Sequence, residues 1–121
     1  MARVLIVDDA AYFRMKLRQM LESFGHEVVG EATDGRKAVA MYSQVQPDFV
    51  TMDISMPEAN GIEGVKGIIE KDPNAKIIMV SAMGQKNHVL DAMKSGAKHF
   101  VLKPFQKEVL NKVISQVLSE K

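Results

Sequence analysis

Short runs of consecutive apolar residues alternate along the chain with segments in which apolar residues recur every three or four positions. Apolar runs without polar alternation are typical of strands that are covered on both faces, as in parallel sheets, and β-branched residues favour the same interpretation. We therefore predict five buried strands, over residues 3–7, 27–32, 48–52, 76–81 and 99–102.

The intervening segments have the period of amphipathic helices. Phe13, Leu17 and Leu21 fall on one helical face, and Gly25 follows at a position where glycine commonly ends a helix. Comparable patterns predict helices that begin near residues 34 and 86, and another across residues 62–69. The final helix has the longest apolar stripe, which we expect to face the sheet throughout: Val109, Leu110, Val113, Ile114, Val117 and Leu118.

Strands that alternate with helices predict right-handed crossover connections and a mostly parallel sheet with helices on both faces. Five of each within 121 residues predict one α/β domain, residues 1–121, with a flavodoxin-like doubly wound (βα)5 fold. In such a sheet the carboxyl ends of the first, third and fourth strands border one crevice, where ligands bind. Functional residues are therefore expected at the ends of these strands.

The composition excludes several classes of protein. Apolar residues make up 46% and charged residues 26%, as in ordinary globular domains, and the net charge of +1 predicts neither a nucleic-acid nor a membrane partner. The absence of cysteine excludes disulfides and thiolate metal sites. Because no apolar leader precedes the first strand, we expect a cytoplasmic protein. The three histidines, His26, His88 and His99, are scattered and expected at the surface.

Charged and hydroxyl residues stand at the carboxyl ends of four predicted strands. The first strand delivers Asp8 and Asp9, the third Asp53, the fourth Ser81 and the fifth Lys103. Three carboxylates so close together repel one another strongly at an effective dielectric constant of about 20, so the site requires cations. Mg²⁺ prefers oxygen ligands and commonly binds one or two carboxylates together with phosphate oxygens. We therefore predict Mg²⁺ as the cofactor, held by the acidic pair, with Lys103 as a second cation.

These residues together predict phosphoryl transfer to a carboxylate. An aspartate can attack phosphorus to form an aspartyl phosphate, and Asp53 is the candidate nucleophile. In such a transfer the protein chiefly positions the group and neutralises its oxygens, a role that falls here to Mg²⁺, Lys103 and the Ser81 hydroxyl. Each residue alone has an ordinary structural explanation, as a turn, a cap or a solvated side chain, and only their joint position indicates function.

Other classes that bind or transfer phosphate fit the sequence less well. A flavodoxin needs a phosphate loop rich in Ser, Thr and Gly after the first strand, where this chain has two aspartates. A haloacid-dehalogenase-type phosphatase has an Asp-x-Asp pattern at its nucleophile, whereas Ile54 and Ser55 follow Asp53. The P-loop pattern Gly-x-x-x-x-Gly-Lys-Ser/Thr does not occur in the sequence.

Four motifs follow one another in a defined order and spacing: Asp8-Asp9, Asp53, Ser81-Ala82 and Lys103-Pro104-Phe105. In this order and spacing they resemble the receiver domain of two-component response regulators, and the resemblance covers essentially the whole chain. Within that family the chain is most similar to single-domain chemotaxis regulators of the CheY type, particularly in "VTMDISMP" and "SAMGQ". The resemblance implies the strand order 2-1-3-4-5 and a cis peptide bond before Pro104.

The resemblance implies a role for each acidic residue. Asp53 would be the phosphoacceptor and also a ligand of Mg²⁺. Asp9 and the backbone carbonyl of Ser55 would be further Mg²⁺ ligands, while Asp8 would act largely through bound water. Ser55 replaces the Asn of enteric members, a change that a backbone ligand tolerates.

The resemblance also implies how the phosphorylated state is recognised. Ser81 and Lys103 would contact the phosphoryl group, and Phe100 occupies the aromatic switch position. Movement of Ser81 toward the phosphate and an inward turn of Phe100 would change the surface of the fourth helix, fifth strand and fifth helix. The chain departs from common family patterns because Phe100 lacks the hydroxyl of a tyrosine. Ala59, Asn60 and Met83 depart as well.

A signalling role follows from this resemblance. It implies a monomeric switch that takes phosphate from a histidine kinase, catalyses its own phosphorylation and dephosphorylation, and signals to a separate protein. Similarity to chemotaxis regulators favours the flagellar motor switch as that target, and a phosphatase is a further partner to consider. A phosphorelay intermediate, or another stand-alone regulator unrelated to motility, stays open as the alternative.

Overall fold

The computed structural model describes residues 1–56, 60–82 and 84–120, with the backbone alone at residue 60. Five parallel strands form one sheet in the order β2-β1-β3-β4-β5. The strands are β1 (Arg3–Val7), β2 (Glu27–Ala32), β3 (Phe49–Asp53), β4 (Ile77–Ser81) and β5 (His99–Leu102). The helices are α1 (Ala11–Ser23), α2 (Gly35–Val45), α3 (Asn60–Lys71), α4 (Lys86–Lys94) and α5 (Lys107–Ser119).

Two apolar layers cover the sheet, one on each face. On one face α2, α3 and α4 pack against the alternate side chains of the central strands, with Ala38, Val65 and Val89 among the buried contacts. On the other face α1 and α5 cover the remaining side chains, with Leu17 and Ile114 fully inside. Because side chains alternate across a strand, burial on both faces requires the continuous apolar runs seen in the sequence.

The predicted fold class and strand order are confirmed. Two strand boundaries differ by one residue from their predicted positions, since β3 and β4 begin at Phe49 and Ile77. Strand β3 also continues to Asp53, because the next amide, Ile54 N–H, still donates to Val80 of β4 at 2.9 Å. The helix predicted near residue 34 begins at Gly35, where the side chain of Asp34 caps it by accepting from the Lys37 amide.

The prediction for the last helix is wrong at Val109, which is 49% exposed. Leu110, Ile114 and Val117 form the buried stripe of α5. Each step along a helix turns the side chain by about 100°, so the residue before Leu110 lies at the margin of the buried stripe, where the helix pattern alone does not decide its exposure.

His26 is also more enclosed than its scattered position in the sequence suggests. Its ring packs edge-on against Phe24 and Phe49, and its Nδ1 accepts a hydrogen bond from the Ala2 amide at 3.1 Å. Burial, together with the nearby positive amino terminus, lowers the pKa of His26. This side chain thus helps to hold the start of β1, whereas His88 is exposed as expected.

Within the described ranges, no helix is both long and apolar enough to cross a lipid bilayer. The predicted cytoplasmic location stays a prediction.

One buried hydroxyl in the sheet offers a test of core packing. Thr51 is 1% exposed, and its Oγ1 has no hydrogen-bond partner among the described residues. Thr51→Val keeps the shape and removes the unpartnered hydroxyl, so we expect the free energy of unfolding to rise by about 1 kcal/mol. Urea denaturation measures this change. Thr51→Ala is the control, because it leaves a cavity and should destabilise, and a destabilised Thr51→Val would show that the hydroxyl has a partner.

Candidate active site

Three carboxylates converge at the carboxyl edge of the sheet. Asp8 and Asp9 follow β1, and Asp53 ends β3, which is the direct neighbour of β1. One oxygen from each carboxylate lies within 4.8 Å of the others. Asp8 and Asp53 are buried, whereas Asp9 is exposed. This separation suits joint binding of one cation by oxygen ligands.

Lys103 supplies positive charge to this cluster. Its Nζ lies 3.5 Å from Asp8 Oδ2 and 3.8 Å from Asp53 Oδ1. The same ammonium stands 4.0 Å from the centre of the Phe13 ring, a distance at which the ring face attracts a cation. The backbone of Lys103 is tied to β4, because its N–H donates to the Ser81 carbonyl at 2.6 Å. The peptide bond that joins it to Pro104 is cis, as the resemblance implies.

Asp8 is buried with only one of its two carboxylate oxygens hydrogen-bonded among the described residues. Its Oδ1 accepts from the Ala10 amide at 2.8 Å, but its buried Oδ2 has no hydrogen-bond partner among the described residues. Burial, and the neighbouring Asp53 and Asp9, raise the pKa of Asp8 against the opposing effects of the Ala10 amide and Lys103. One lysine does not neutralise three carboxylates, so the donor set fits a divalent cation that prefers oxygen.

Asp53 is held by the loop that follows β3. Its Oδ1 accepts hydrogen bonds from the amide and the hydroxyl of Ser55, at 3.0 and 2.7 Å. These bonds orient the carboxylate at the sheet edge. Gly61 at the start of α3 passes so close that a Cβ there would overlap the Asp53 carbonyl oxygen. Only glycine permits this approach of the helix to the strand end.

Ser81 and Phe100 do not have the arrangement that the resemblance implies for a phosphorylated state, in which Ser81 binds the phosphoryl group and Phe100 is turned inward. The Ser81 hydroxyl lies 3.0 Å from the Ala82 carbonyl and 3.4 Å from Gln85 Oε1. Phe100 is 43% exposed. It borders a groove of about 390 Å³ whose apolar walls also include Val89, Leu90, Met93 and Leu102. We call this the apolar groove.

A family model described as the response regulator receiver domain matches residues 4–115. The chain belongs to this family. The receiver domain therefore takes part in phosphorylation-dependent two-component signalling and is a signalling protein. The acidic pocket at its sheet edge corresponds to the place where receiver domains bind Mg²⁺.

Several relatives of this receiver domain are chemotaxis proteins. The chemotaxis protein CheY of Thermotoga maritima is 58% identical over 115 residues, which cover 92% of this chain and 96% of that protein. CheY of Bacillus subtilis is 50% identical over 117 residues, covering 97% and 98%. The CheY of Borrelia burgdorferi, solved as a CheX–CheY–BeF3–Mg²⁺ complex, matches with a TM-score of 0.90 and 37% identity, covering 98% of this chain and 90% of that one.

The structure of this receiver domain brings together the predicted residues Asp8, Asp9, Asp53 and Lys103. Ser81 ends the neighbouring strand β4, and Ser55 follows Asp53. Phe100 lies at the far edge of the sheet, on β5, away from the carboxylates in sequence and topology. Ala59 and Met83 lie outside the described residues, as does the side chain of residue 60.

Three residues of the receiver site make contacts that are not evident from the sequence. The helical pattern assigns Phe13 only to the core, although its ring contacts the Lys103 ammonium. Arg14 donates to the Asp8 carbonyl at 2.8 Å and pairs with Glu31 at 3.0 Å, which ties α1 to the end of β1. Gln85 accepts from the Ala82 amide at 2.8 Å. Arg and Gln are common in helices and loops, and nothing in the sequence positions of Arg14 and Gln85 indicates these contacts.

Proposed function

We propose that Asp53 accepts a phosphoryl group from a histidine kinase, or from a small acyl phosphate, in a Mg²⁺-dependent step. The observation that carries this proposal is the cluster of Asp8, Asp9 and Asp53 with Lys103 beside it. A carboxylate oxygen of Asp53 attacks phosphorus, and the bond from phosphorus to the donor's leaving atom breaks. The donor group leaves with that electron pair.

Mg²⁺ fits this donor set. We propose Asp9, Asp53 and the Ser55 carbonyl as its ligands, with Asp8 acting through bound water. Asp8 Oδ2 supports this arrangement, because it is buried and accepts no hydrogen bond among the described residues, and its ion-pair partner Lys103, at 3.5 Å, is shared with Asp53, so a cation or a water molecule can still satisfy it. When bound, Mg²⁺ supplies positive charge for the carboxylates and for the oxygens of the arriving phosphoryl group.

Lys103 and Ser81 have distinct roles in this proposal. The Lys103 ammonium already lies within 4 Å of two carboxylates, and it would neutralise a phosphoryl oxygen without large movement. The Ser81 hydroxyl would have to leave its present acceptors in order to donate to the phosphoryl group. Phosphorylation therefore requires the Ser81 side chain at the end of β4 to rearrange, whereas the Lys103 side chain can stay where it is.

The signal would leave the protein through the surface of α4, β5 and α5. Of the exposed large apolar side chains, Leu90, Phe100 and Leu102 on α4 and β5 line the apolar groove together. Val109 on α5 is exposed as well. Clustered apolar exposure of this kind marks a protein-binding surface. Because the relatives are chemotaxis proteins, we propose the flagellar motor switch as the target, reached when Phe100 turns inward.

One experiment tests both the phosphorylation and its target. Protein incubated with acetyl phosphate and Mg²⁺ is expected to gain one phosphoryl group in intact-mass spectrometry, and protein in EDTA none. The same samples are then titrated with purified motor switch protein, which should bind the phosphorylated form more tightly. Phosphorylation without tighter binding would favour the phosphorelay or other non-motility alternative. No mass gain with Mg²⁺ would contradict the proposed function itself.

A further inference from the structure

The amide oxygen of the Gln85 side chain lies within hydrogen-bond distance of two donors at the end of β4. This oxygen, Oε1, accepts from the Ala82 amide at 2.8 Å and lies 3.4 Å from the Ser81 hydroxyl oxygen. The Ser81 hydroxyl has one proton, which it directs either to Gln85 or to the Ala82 carbonyl at 3.0 Å. Ser81 itself is fully buried, so water does not compete freely for this proton.

These two donors stand beside the proposed phosphoacceptor. Asp53 pairs with Val80 in the ladder between β3 and β4, so Ser81 and Ala82 are the next residues along the neighbouring strand. An aspartyl phosphate brings several strong acceptor oxygens to this edge, and hydroxyl and backbone N–H donors are the groups that bind such oxygens. The Gln85 amide oxygen therefore competes with a phosphoryl group for the same donors.

Gln85 also connects the site to the apolar groove. It is the residue immediately before α4, and Ser81, Ala82 and Gln85 line the apolar groove together with Leu90 and Phe100. Displacement of the Gln85 side chain would free the start of α4 and alter one wall of this groove. A local exchange of hydrogen bonds thus reaches the proposed output surface.

We propose that Gln85 is a positioning residue that holds Ser81 and Ala82 in a resting arrangement, so that phosphorylation must displace its amide oxygen before these donors bind the phosphoryl group. This inference rests on the proposed phosphorylation of Asp53. The contact opposes activation, and its removal favours the phosphorylated conformation. A residue with a merely structural role would have the opposite effect, since its loss would weaken the active arrangement.

The test measures how tightly beryllofluoride, a stable mimic of the phosphoryl group, binds in the presence of Mg²⁺. Gln85→Met has a side chain of similar length without an amide acceptor, and we expect it to bind beryllofluoride about 2- to 10-fold more tightly than the wild type, the factor for one lost competing hydrogen bond. Gln85→Glu is the matched control, because it keeps an acceptor oxygen and should bind no more tightly. Unchanged or weaker binding by Gln85→Met would overturn the proposal.

A second measurement examines the contact in the free protein. Amide hydrogen exchange followed by NMR should show the Ala82 N–H protected in the wild type and in Gln85→Glu, and exchanging faster in Gln85→Met. The Val80 amide in β4 should stay protected in all three, which shows that each variant is folded. If the free wild-type protein exchanges the Ala82 amide rapidly and yet binds beryllofluoride, the proposed role of Gln85 is overturned while the proposed function stands. Wild-type protein that binds no beryllofluoride would overturn the proposed function and this inference with it.

Discussion

Asp53→Asn is expected to gain no phosphoryl group under conditions in which the wild type gains one. The substitution keeps the size and position of a side chain that is 2% exposed, but an amide is not a nucleophile toward phosphorus. The loss should therefore be complete, without loss of folded structure. Intact-mass spectrometry after incubation with acetyl phosphate and Mg²⁺ measures it, and circular dichroism checks that the variant is folded.

A second aspartate provides the matched control for this variant. Asp34 caps α2 by accepting from the Lys37 amide at 2.8 Å, and it does not belong to the cluster of Asp8, Asp9 and Asp53. Asn caps helices as well as Asp does, so Asp34→Asn should fold normally and should be phosphorylated like the wild type. Full labelling of Asp53→Asn at another residue would show that Asp53 is not the phosphoacceptor.

Asp8→Asn is expected to stabilise the metal-free protein at neutral pH while weakening its affinity for Mg²⁺. The Asp8 side chain is buried, faces two other carboxylates and leaves Oδ2 without a hydrogen bond among the described residues. A neutral amide removes the like-charge repulsion, so the free energy of unfolding should rise by roughly 1–2 kcal/mol. Mg²⁺ affinity should fall about 10- to 100-fold, the usual effect of removing a group that acts on a metal through water.

The stabilisation by Asp8→Asn should depend on pH in a defined direction. Because burial raises the pKa of Asp8, the folded protein binds this proton more tightly than the unfolded chain does. Ionisation therefore lowers the stability of the wild type as the pH rises from the ordinary aspartate range to the raised pKa, and the penalty persists above it. The variant should match the wild type in strong acid and exceed it at neutral pH.

Urea denaturation across this pH range, without Mg²⁺, measures the difference, and Asp9→Asn is the control. Asp9 is exposed, so its replacement should weaken Mg²⁺ binding with little change in stability. If Asp8→Asn were less stable than the wild type at neutral pH, the ion pair with Lys103 would outweigh the burial cost of the carboxylate.

Much of this fold is predictable because its strands are buried on both faces. Burial on both faces demands uninterrupted apolar runs, such as residues 4–7, and these runs locate the strands almost to the residue. A helix buries only one stripe, and an apolar residue at the margin of that stripe can face either way. Val109 lies at such a margin and is exposed, so the period of the pattern alone does not assign it.

The sequence predicts which residues form the site, but it does not predict which side chains contact one another there. Parallel strands bring their carboxyl ends to one edge, and this rule places Asp8, Asp9 and Asp53 together from their positions in the sequence alone. The backbone path after β1 decides that Asp8 is buried and Asp9 exposed. The sequence does not show this, because both residues are aspartates. The contact of Phe13 with Lys103 and that of Gln85 with Ala82 depend on rotamers set by tertiary packing.

Strand β5 also bears on whether the protein stays soluble at high concentration. It is the last strand of the sheet, and two of its apolar side chains, Phe100 and Leu102, are 43% and 48% exposed. An open apolar edge can pair with the edge of another molecule and seed β-aggregation. With four residues it offers few backbone groups for such pairing, and Pro104 has no amide proton to extend it. Because this strand is short, the domain can expose apolar side chains for binding while offering few backbone groups to β-aggregation.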